Sequence, residues 1–349
     1  MSSLRNYNFS DSVIAWQKRY GRHNLPWQLN REPYRVLLAE VMLQQTQVQT
    51  VIPYFTRFVA KFPSIHALAD APLDSVISLW GGLGYYSRAR NLHRCAQIVV
   101  DQHGGKLPPQ ARALQTLPGI GRSTAAAIAS TCFAERVSIL DGNARRLIAR
   151  YLAFSGDLAI PGNQSALWEC AEQLLPAVAN QREMPTYTQG LMDLGAIICI
   201  RSNPKCEACP LQASCGALAR GQVGQIPVRQ SRIRRVSRSF KLLWWVRPDG
   251  AVWLERRDPA GIWGGLFSLP LFPSEDTVIH SVPEHLIDMT ENMQPLVHKL
   301  THLDMHLHPI RIKLRESVSP SSKGQWHALS EWNALGLPAP VRKLLNANH

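Results

Sequence analysis

Acidic residues are in short supply in this chain. Its 349 residues include 25 Asp and Glu against 38 Lys and Arg, a formal net charge of +13. Such an excess suits contact with nucleic acid or an anionic membrane surface, or serves solubility alone. No apolar run reaches the ~18 residues a membrane helix needs and no basic amphipathic helix stands out, so no membrane partner is expected. Met1–Ser10 lacks the charged-then-apolar pattern of a secretory signal, which predicts a cytoplasmic protein. Repeats with a period of about 20 to 50 residues are missing too, which argues against a solenoid or propeller. Lysine is rare in residues 1–216, where only Lys18, Lys61, Lys106 and Lys205 occur. Cysteine is sparse and odd in number, seven in all, and without a secretory signal a disulfide framework is not expected.

What is present is the balance of an ordinary folded protein, 45% hydrophobic and 18% charged, with a length that suits two domains. Apolar residues at three- and four-residue spacing predict helices over Phe9–Tyr20, Tyr34–Gln45, Val48–Phe62, Leu73–Trp80, Ser87–His103, Ser123–Ala134, Asn143–Phe154, Gln164–Ala177 and Tyr187–Ile198. Pro33, Gly81-Gly82, Gly104-Gly105 and Pro118-Gly119 punctuate the gaps. From Ala208 to Pro248 there is no acid, while Arg220, Arg229, Arg232, Arg234, Arg235, Arg238, Lys241 and Arg247 accumulate. Residues 217–238 thus read as a basic linker that crosses a polyanion, or as a solvated basic stretch. Beyond it the pattern turns β-like. Phe240–Val246 and Ala251–Arg256 flank Pro248-Asp249-Gly250 as a hairpin, Pro309–Arg315 reads as a strand, and Ala339–Leu345 as a closing helix.

Three constellations could carry chemistry. Cys199, Cys206, Cys209 and Cys215 are separated by six, two and five residues, whereas Cys95, Cys132 and Cys170 are scattered through helical segments. Four thiolates in one loop suit a tetrahedral zinc or a [4Fe–4S] cluster, and spacing alone does not choose. Leu117-Pro118-Gly119-Ile120-Gly121-Arg122-Ser123 lies between two helices. Its glycines permit a tight turn and a close phosphate, and the following helix offers free N–H groups. Two carboxylates complete the set. Asp141, in Asp-Gly-Asn before a helix, is explained by N-capping alone, but the same geometry favours an ionised carboxylate able to face a sugar cation. Glu40 shares a mainly apolar helix face with Val36, Leu37, Leu43 and Gln44, where desolvation should raise its pKa toward that of a general acid at neutral pH.

The stretch Ala39-Glu40-Val41-Met42-Leu43-Gln44-Gln45-Thr46-Gln47, the hairpin, Ile139–Asn143 and the cysteine spacing together resemble the MutY family of helix–hairpin–helix glycosylases. The resemblance implies a multi-domain fold. An all-α helix–hairpin–helix glycosylase domain with a [4Fe–4S] cluster loop would occupy 1–216, the linker 217–238, and an α+β Nudix-like recognition domain 239–349. It implies Glu40 as the acid and Asp141 as the sugar-facing carboxylate, with Asn143 helping to position them. Trp27, Leu43, Gln28 and Gln189 match the adenine pocket. Gln45, Thr46, Leu83 and Tyr85 match residues that fill the stack opposite adenine, and Gly119, Gly121 and Ser123 the phosphate-binding hairpin. The cluster ligands would be Cys199, Cys206, Cys209 and Cys215. The implied partner is double-stranded DNA with adenine opposite 8-oxoguanine or guanine, bound by a monomer in the cytoplasm at the nucleoid.

Ser123 stands where bifunctional relatives carry a lysine for Schiff-base chemistry, so a monofunctional glycosylase is expected. Gly261–Pro270 resembles a stretch of the Nudix-like domain, but Pro273–Asn292 lacks the paired glutamates that would hold Mg²⁺, which implies recognition rather than hydrolysis. Its reader loop would be His298–Leu303, where relatives commonly carry Phe-Ser-His and this chain has Leu300-Thr301-His302. Alternating strand positions account for His298, His302, His306 and His308 better than a metal site does. The alternatives are an endonuclease III-type glycosylase–lyase, which predicts lysine at Ser123, and a catalytically silent DNA-binding protein, which needs neither carboxylate.

Overall fold

The computed structural model describes residues 9–228, 235–273, 277–278, 281–315, 320, 323–332 and 334–347. Arg229, Arg232 and Arg234 of the expected linker, and Glu275 and Asp276, lie outside them. Contacts divide the chain into two compact units. One takes the described residues up to Asp70 and those from Asn91 to 228; the other takes Ala71–Arg90 and those from 235 onward.

The first unit is helical. Its elements are α1 (Phe9–Tyr20), α2 (Pro26–Leu29), α3 (Pro33–Leu43), α4 (Val48–Lys61) and α5 (Ile65–Ala69). After α6 (Leu73–Leu79), which belongs to the second unit, and α7 (Ser87–His103) come α8 (Ala111–Leu114), α9 (Arg122–Phe133), α10 (Gly142–Tyr151), α11 (Pro161–Gln173), α12 (Met184–Asp193) and α13 (Gly216–Ala219). Every helix expected from periodicity is present, with ends shifted by a few residues.

Two helices illustrate how sequence fixes the scaffold. Pro33 opens α3 with its φ already helical, and the Glu32 carboxylate accepts from the backbone N–H groups of Tyr34 and Arg35. Leu37, Leu38 and Met42 of α3 are fully buried, a stabilisation of roughly 1.5–3 kcal/mol each. The partner helix α9 is rich in alanine, with Ala125, Ala126, Ala127 and Ala129 buried, so its backbone can lie close to its neighbours. Ser130 within that run returns its hydroxyl to the Ala126 carbonyl at 2.7 Å and accepts from Thr188 Oγ1 at 2.9 Å, which satisfies both buried hydroxyls.

Described residues of the expected linker belong to the two units themselves. Ala217 in α13 and Ile226 are buried with the α10 and α12 core, and Val236–Arg238 already belong to the first strand. The signal was weak because each buried contact comes from a lone small or branched residue in a basic surround.

Among the described residues, the second unit holds an eight-stranded mixed sheet. Its strands are β1 (Val236–Val246), β2 (Val252–Arg256), β3 (Phe267–Ser268), β4 (Leu271–Phe272), β5 (Thr290–Asn292), β6 (Leu296–Lys299), β7 (Leu303–Lys313) and β8 (Gly324–His327). The principal order is β3-β2-β1-β7-β5, with β4 on β1, β6 on β7 and β8 on β2. β1 and β7 run parallel from Val236↔Leu303 to Val246↔Lys313, and the other pairs are antiparallel. Both long strands begin earlier than hydrophobicity predicts, because β1 opens on four exposed residues that pair through the backbone alone. His306 and His308 alternate along β7 with the buried Met305 and Leu307.

Residues Ala71–Arg90 join this unit for a packing reason. Ile77 is buried with Leu242, Trp244 and Leu266, the Tyr86 hydroxyl donates to the Leu337 carbonyl at 3.2 Å, and Arg90 Nη1 donates to the Gly264 carbonyl at 2.7 Å. Among the described residues no helix is long and apolar enough to cross a membrane.

Candidate active site

Glu40 and Asp141 both belong to the helical unit. Glu40 sits on the last turn of α3, half-buried beside the fully buried Ala39. No described residue donates a hydrogen bond to its carboxyl. Burial pushes its pKa up to about 8, and the neighbouring Asp141 adds to the rise. Asp141 caps α10: its Oδ1 accepts from the Ala144 N–H at 2.7 Å. The helix terminus does not hold this carboxyl low, as the sequence suggested. Burial raises its pKa, and the Ala144 and Asn143 N–H groups, then Arg146 and Arg145, pull it back only in part.

The neighbours of Asp141 are fixed on both sides. Upstream, the Leu140 N–H donates to Ser123 Oγ at 3.2 Å, so the residue on the first turn of α9 is tied to the segment entering the cap. Downstream, Asn143 Oδ1 accepts from Arg146 Nη2 at 3.0 Å, and the same guanidinium reaches the Cys199 carbonyl at 2.7 Å and the Gly195 carbonyl. Gly195 is required by that approach, since a Cβ there would stand 2.7 Å from Asn143 Cβ.

The hairpin holds its turn with Ile120 N donating to the Leu117 carbonyl at 3.2 Å and with Gly119 at φ +79°. Gly121 is exposed, and the space its Cβ would take is open. Gln44, read in the sequence only as a neighbour of Glu40, links the end of α3 to this hairpin: its Nε2 donates to Thr124 Oγ1 at 3.3 Å and to the Gly119 carbonyl at 3.5 Å.

Of the residues matched to an adenine pocket, Trp27 is buried edge-on against Phe55, with ring centroids 5.3 Å apart, and Leu43 closes α3 half-buried. Gln28 is informative: both the oxygen and the nitrogen of its amide are shielded from solvent and lack a partner among the described residues. Gln189 Nε2 donates at 2.8 Å to Asp193, a wholly buried carboxylate also held by Arg22. Gln45 lies exposed at φ +58°, and Thr46 follows with its N–H bonded to the Leu43 carbonyl.

In the second unit the turn before α7 carries Leu83, buried, and Tyr85, 46% exposed. The Tyr85 hydroxyl and Thr301 Oγ1 share a hydrogen bond of 2.5 Å. Leu300, Thr301 and His302 form the tip between β6 and β7, where Leu300 N donates to the Leu303 carbonyl at 2.8 Å, and Thr301 and His302 are exposed.

The four clustered cysteines line one cavity with Leu147, Tyr151, Leu211, Leu218 and Arg150. A π-helical turn over Leu194–Ile198 delivers Cys199, and short 3₁₀ turns at Cys206–Ala208 and Gln212–Ser214 present the rest. Burial and the neighbouring thiols push Cys209 up to about 11 and raise Cys206 and Cys215 as well. Four sulfurs gathered on one cavity, with few other polar groups lining it, make a soft donor set that suits bound metal. Among the described residues, no three His, Cys, Asp or Glu side chains converge on a point that would hold a single metal ion. Arg150, 2% exposed, donates to the carbonyls of Ile226, Ile200 and Arg201 and stands 3.5 Å from Cys199 Sγ. Arg146 and Arg150 were both missed in the sequence. Their signal was two arginines four apart on the helix that Asp141 caps, the second amid apolar residues.

Residues 38–171 match a family model described as HhH-GPD superfamily base excision DNA repair protein, and residues 242–347 match one described as NUDIX domain. The chain is 37% identical to an adenine DNA glycosylase of Buchnera aphidicola subsp. Acyrthosiphon pisum over 98% of each protein. Among solved structures, it is similar to a thermostable thymine-DNA glycosylase with a TM-score of 0.54 and 29% identity, covering 62% of this chain and 97% of that one. An endonuclease III–DNA complex, at TM-score 0.52 and 22% identity over 63% of this chain and 99% of that one, shares the fold.

Proposed function

This chain belongs to the adenine DNA glycosylase family and is a DNA N-glycosylase of base-excision repair, and we propose that its substrate is adenine opposite 8-oxoguanine or guanine, removed without strand cleavage. The observation that carries the mechanism is the pairing of Glu40 on α3 with Asp141 at the cap of α10, two carboxyls that burial pushes up, with Asp141 adding to the upward shift of Glu40.

The reaction needs adenine outside the duplex, at a stacking cost of a few kcal/mol. The unpartnered Gln28 amide offers a donor and an acceptor to the edge of the extruded base, and Gln189, braced by Asp193, offers a second contact. At neutral pH Glu40 holds its proton and can pass it to adenine N7, so that the base leaves neutral as the C1′–N9 bond breaks. Asp141 faces the positive charge that develops on the sugar, and water completes the hydrolysis. Asn143, steadied by Arg146, keeps that cap in place.

The cysteine cavity supports a resident [4Fe–4S] cluster held by Cys199, Cys206, Cys209 and Cys215. When bound, it would supply a rigid thiolate-ligated anchor for the basic loop that carries Arg201 and Lys205. The absence of a lysine at Ser123 supports hydrolysis without a Schiff base. Thr301, which retains a hydroxyl, and His302 support recognition of the base opposite adenine by the β6–β7 tip. We further read the protein as a monomer acting at the nucleoid.

The test is excision from duplexes with adenine opposite 8-oxoguanine, guanine or thymine, developed with and without alkali. Excision from the first two, with strand breaks only after alkali, is expected. Preference for the thymine pair, or breaks without alkali, would overturn the reading.

A further inference from the structure

The turn that carries Tyr85 is closed by the Leu83 N–H on the Trp80 carbonyl at 3.0 Å and the Arg88 N–H on the Tyr85 carbonyl at 2.9 Å, yet its backbone is strained. Gly82, Gly84 and Tyr85 all lie at positive φ, and Tyr85, at +49°, has a side chain that disfavours it. Such a backbone persists only where its surroundings over-determine it.

The Gly82 N–H donates to the Tyr86 hydroxyl at 3.3 Å, and two further side chains restrain the carbonyls of Leu83 and Gly84. Trp80, wholly buried, donates its indole N–H to the Gly84 carbonyl at 3.2 Å. Arg88 Nη2 donates to the carbonyls of Leu83 at 3.3 Å and Gly84 at 3.2 Å. The guanidinium also lies over two rings, 5.3 Å from the Trp80 centroid and 5.6 Å from that of Tyr85. Arg88 is 8% exposed, and burial lowers its pKa to about 10. One Nη2 amino group bridges the two successive carbonyls while the guanidinium plane stacks on the rings, and an ammonium group has no such plane. At its far end Tyr85 is held by Thr301, so backbone, ring and hydroxyl are all constrained while nearly half the residue stays exposed.

We propose that Arg88 and Trp80 are positioning residues that preset the Leu83–Tyr85 turn, so that Tyr85 engages the base opposite adenine without first being ordered. This rests on the reading of Tyr85 as a residue that enters the stack. Preorganisation of this kind appears as discrimination, because the cost of ordering the turn would otherwise fall on every base-specific contact.

The test is a double-mutant cycle on single-turnover excision from adenine opposite 8-oxoguanine and opposite guanine, with Arg88→Lys, Tyr85→Ala and the double variant. Tyr85→Ala should lower the preference for the 8-oxoguanine duplex. Arg88→Lys should lower that preference about tenfold to a hundredfold, as for a misplaced contact, and should have no further effect once Tyr85 is alanine. Trp80→Phe keeps the ring, loses the N–H, and should show a smaller loss with the same coupling, which keeps the test open if Arg88→Lys does not fold. If Tyr85→Ala is costly while Arg88→Lys costs the same in both backgrounds, or nothing in either, the positioning role is overturned and the reading of Tyr85 stands. If Tyr85→Ala leaves both duplexes unaffected, the reading itself fails and the proposal falls with it.

Discussion

Ser123 Oγ accepts a hydrogen bond from the Leu140 N–H at 3.2 Å, one residue ahead of Asp141. The side chain at position 123 is thereby tied to the segment that enters the Asp141 cap, and in the proposed mechanism an amine there would be placed to attack C1′. The wild-type protein should leave an abasic product that breaks only in alkali. Ser123→Lys should gain borohydride-trappable covalent complex and strand cleavage without alkali, read on a denaturing gel. A trapped complex in the wild type would remove the argument from Ser123.

In the proposed role of general acid, the environment of Glu40 sets a pH limit on catalysis. A general acid must hold its proton, and burial together with Asp141 raises this carboxyl to about 8. Single-turnover excision should be sustained through neutrality and fall about tenfold per pH unit above that value. A profile already falling from about pH 5 would mean that Glu40 titrates like an exposed glutamate.

The same shift is a statement about stability. Because the folded-state pKa lies above the ordinary value of 4.5, the stability associated with protonated Glu40 is full below that value and is lost as pH rises through about 8. Glu40→Gln cannot ionise, so its advantage in Tm over the wild type should grow across that window and level off above it. For a unit of this size each kcal/mol is worth about 2–4 °C. A Tm difference that does not vary with pH would contradict the burial argument.

For the cysteine cavity, iron and labile sulfide in equal amounts are expected from protein isolated without oxygen, with both lost in Cys206→Ser. Zinc in their place would favour the single-ion alternative that the spacing left open.

Much of this was legible in the sequence because the signals are local. The helices follow from three- and four-residue periodicity, Asp141 from its capping position, Glu40 from its apolar helix face, and the cysteines from their spacing. What escaped depends on contacts between distant segments. The pairing of Val236–Ser239 with β7 runs through the backbone of exposed residues. The grouping of Ala71–Arg90 with the sheet rests on Ile77, Tyr86 and Arg90 meeting residues far along the chain. Arg146 and Arg150 gain meaning only when the Gly195–Arg201 carbonyls fold back against α10. The upward shift of Asp141 depends on burial, which the cap motif does not encode.

The central claim is that two carboxylates divide the work of breaking one glycosidic bond. Single-turnover excision of adenine opposite 8-oxoguanine by Glu40→Gln and by Asp141→Asn tests it most directly, with duplex affinity measured alongside. Each variant should bind the duplex and lose activity, Glu40→Gln by about 10²–10⁴-fold, as expected when a general acid is removed. Excision at the wild-type rate by both would contradict the account.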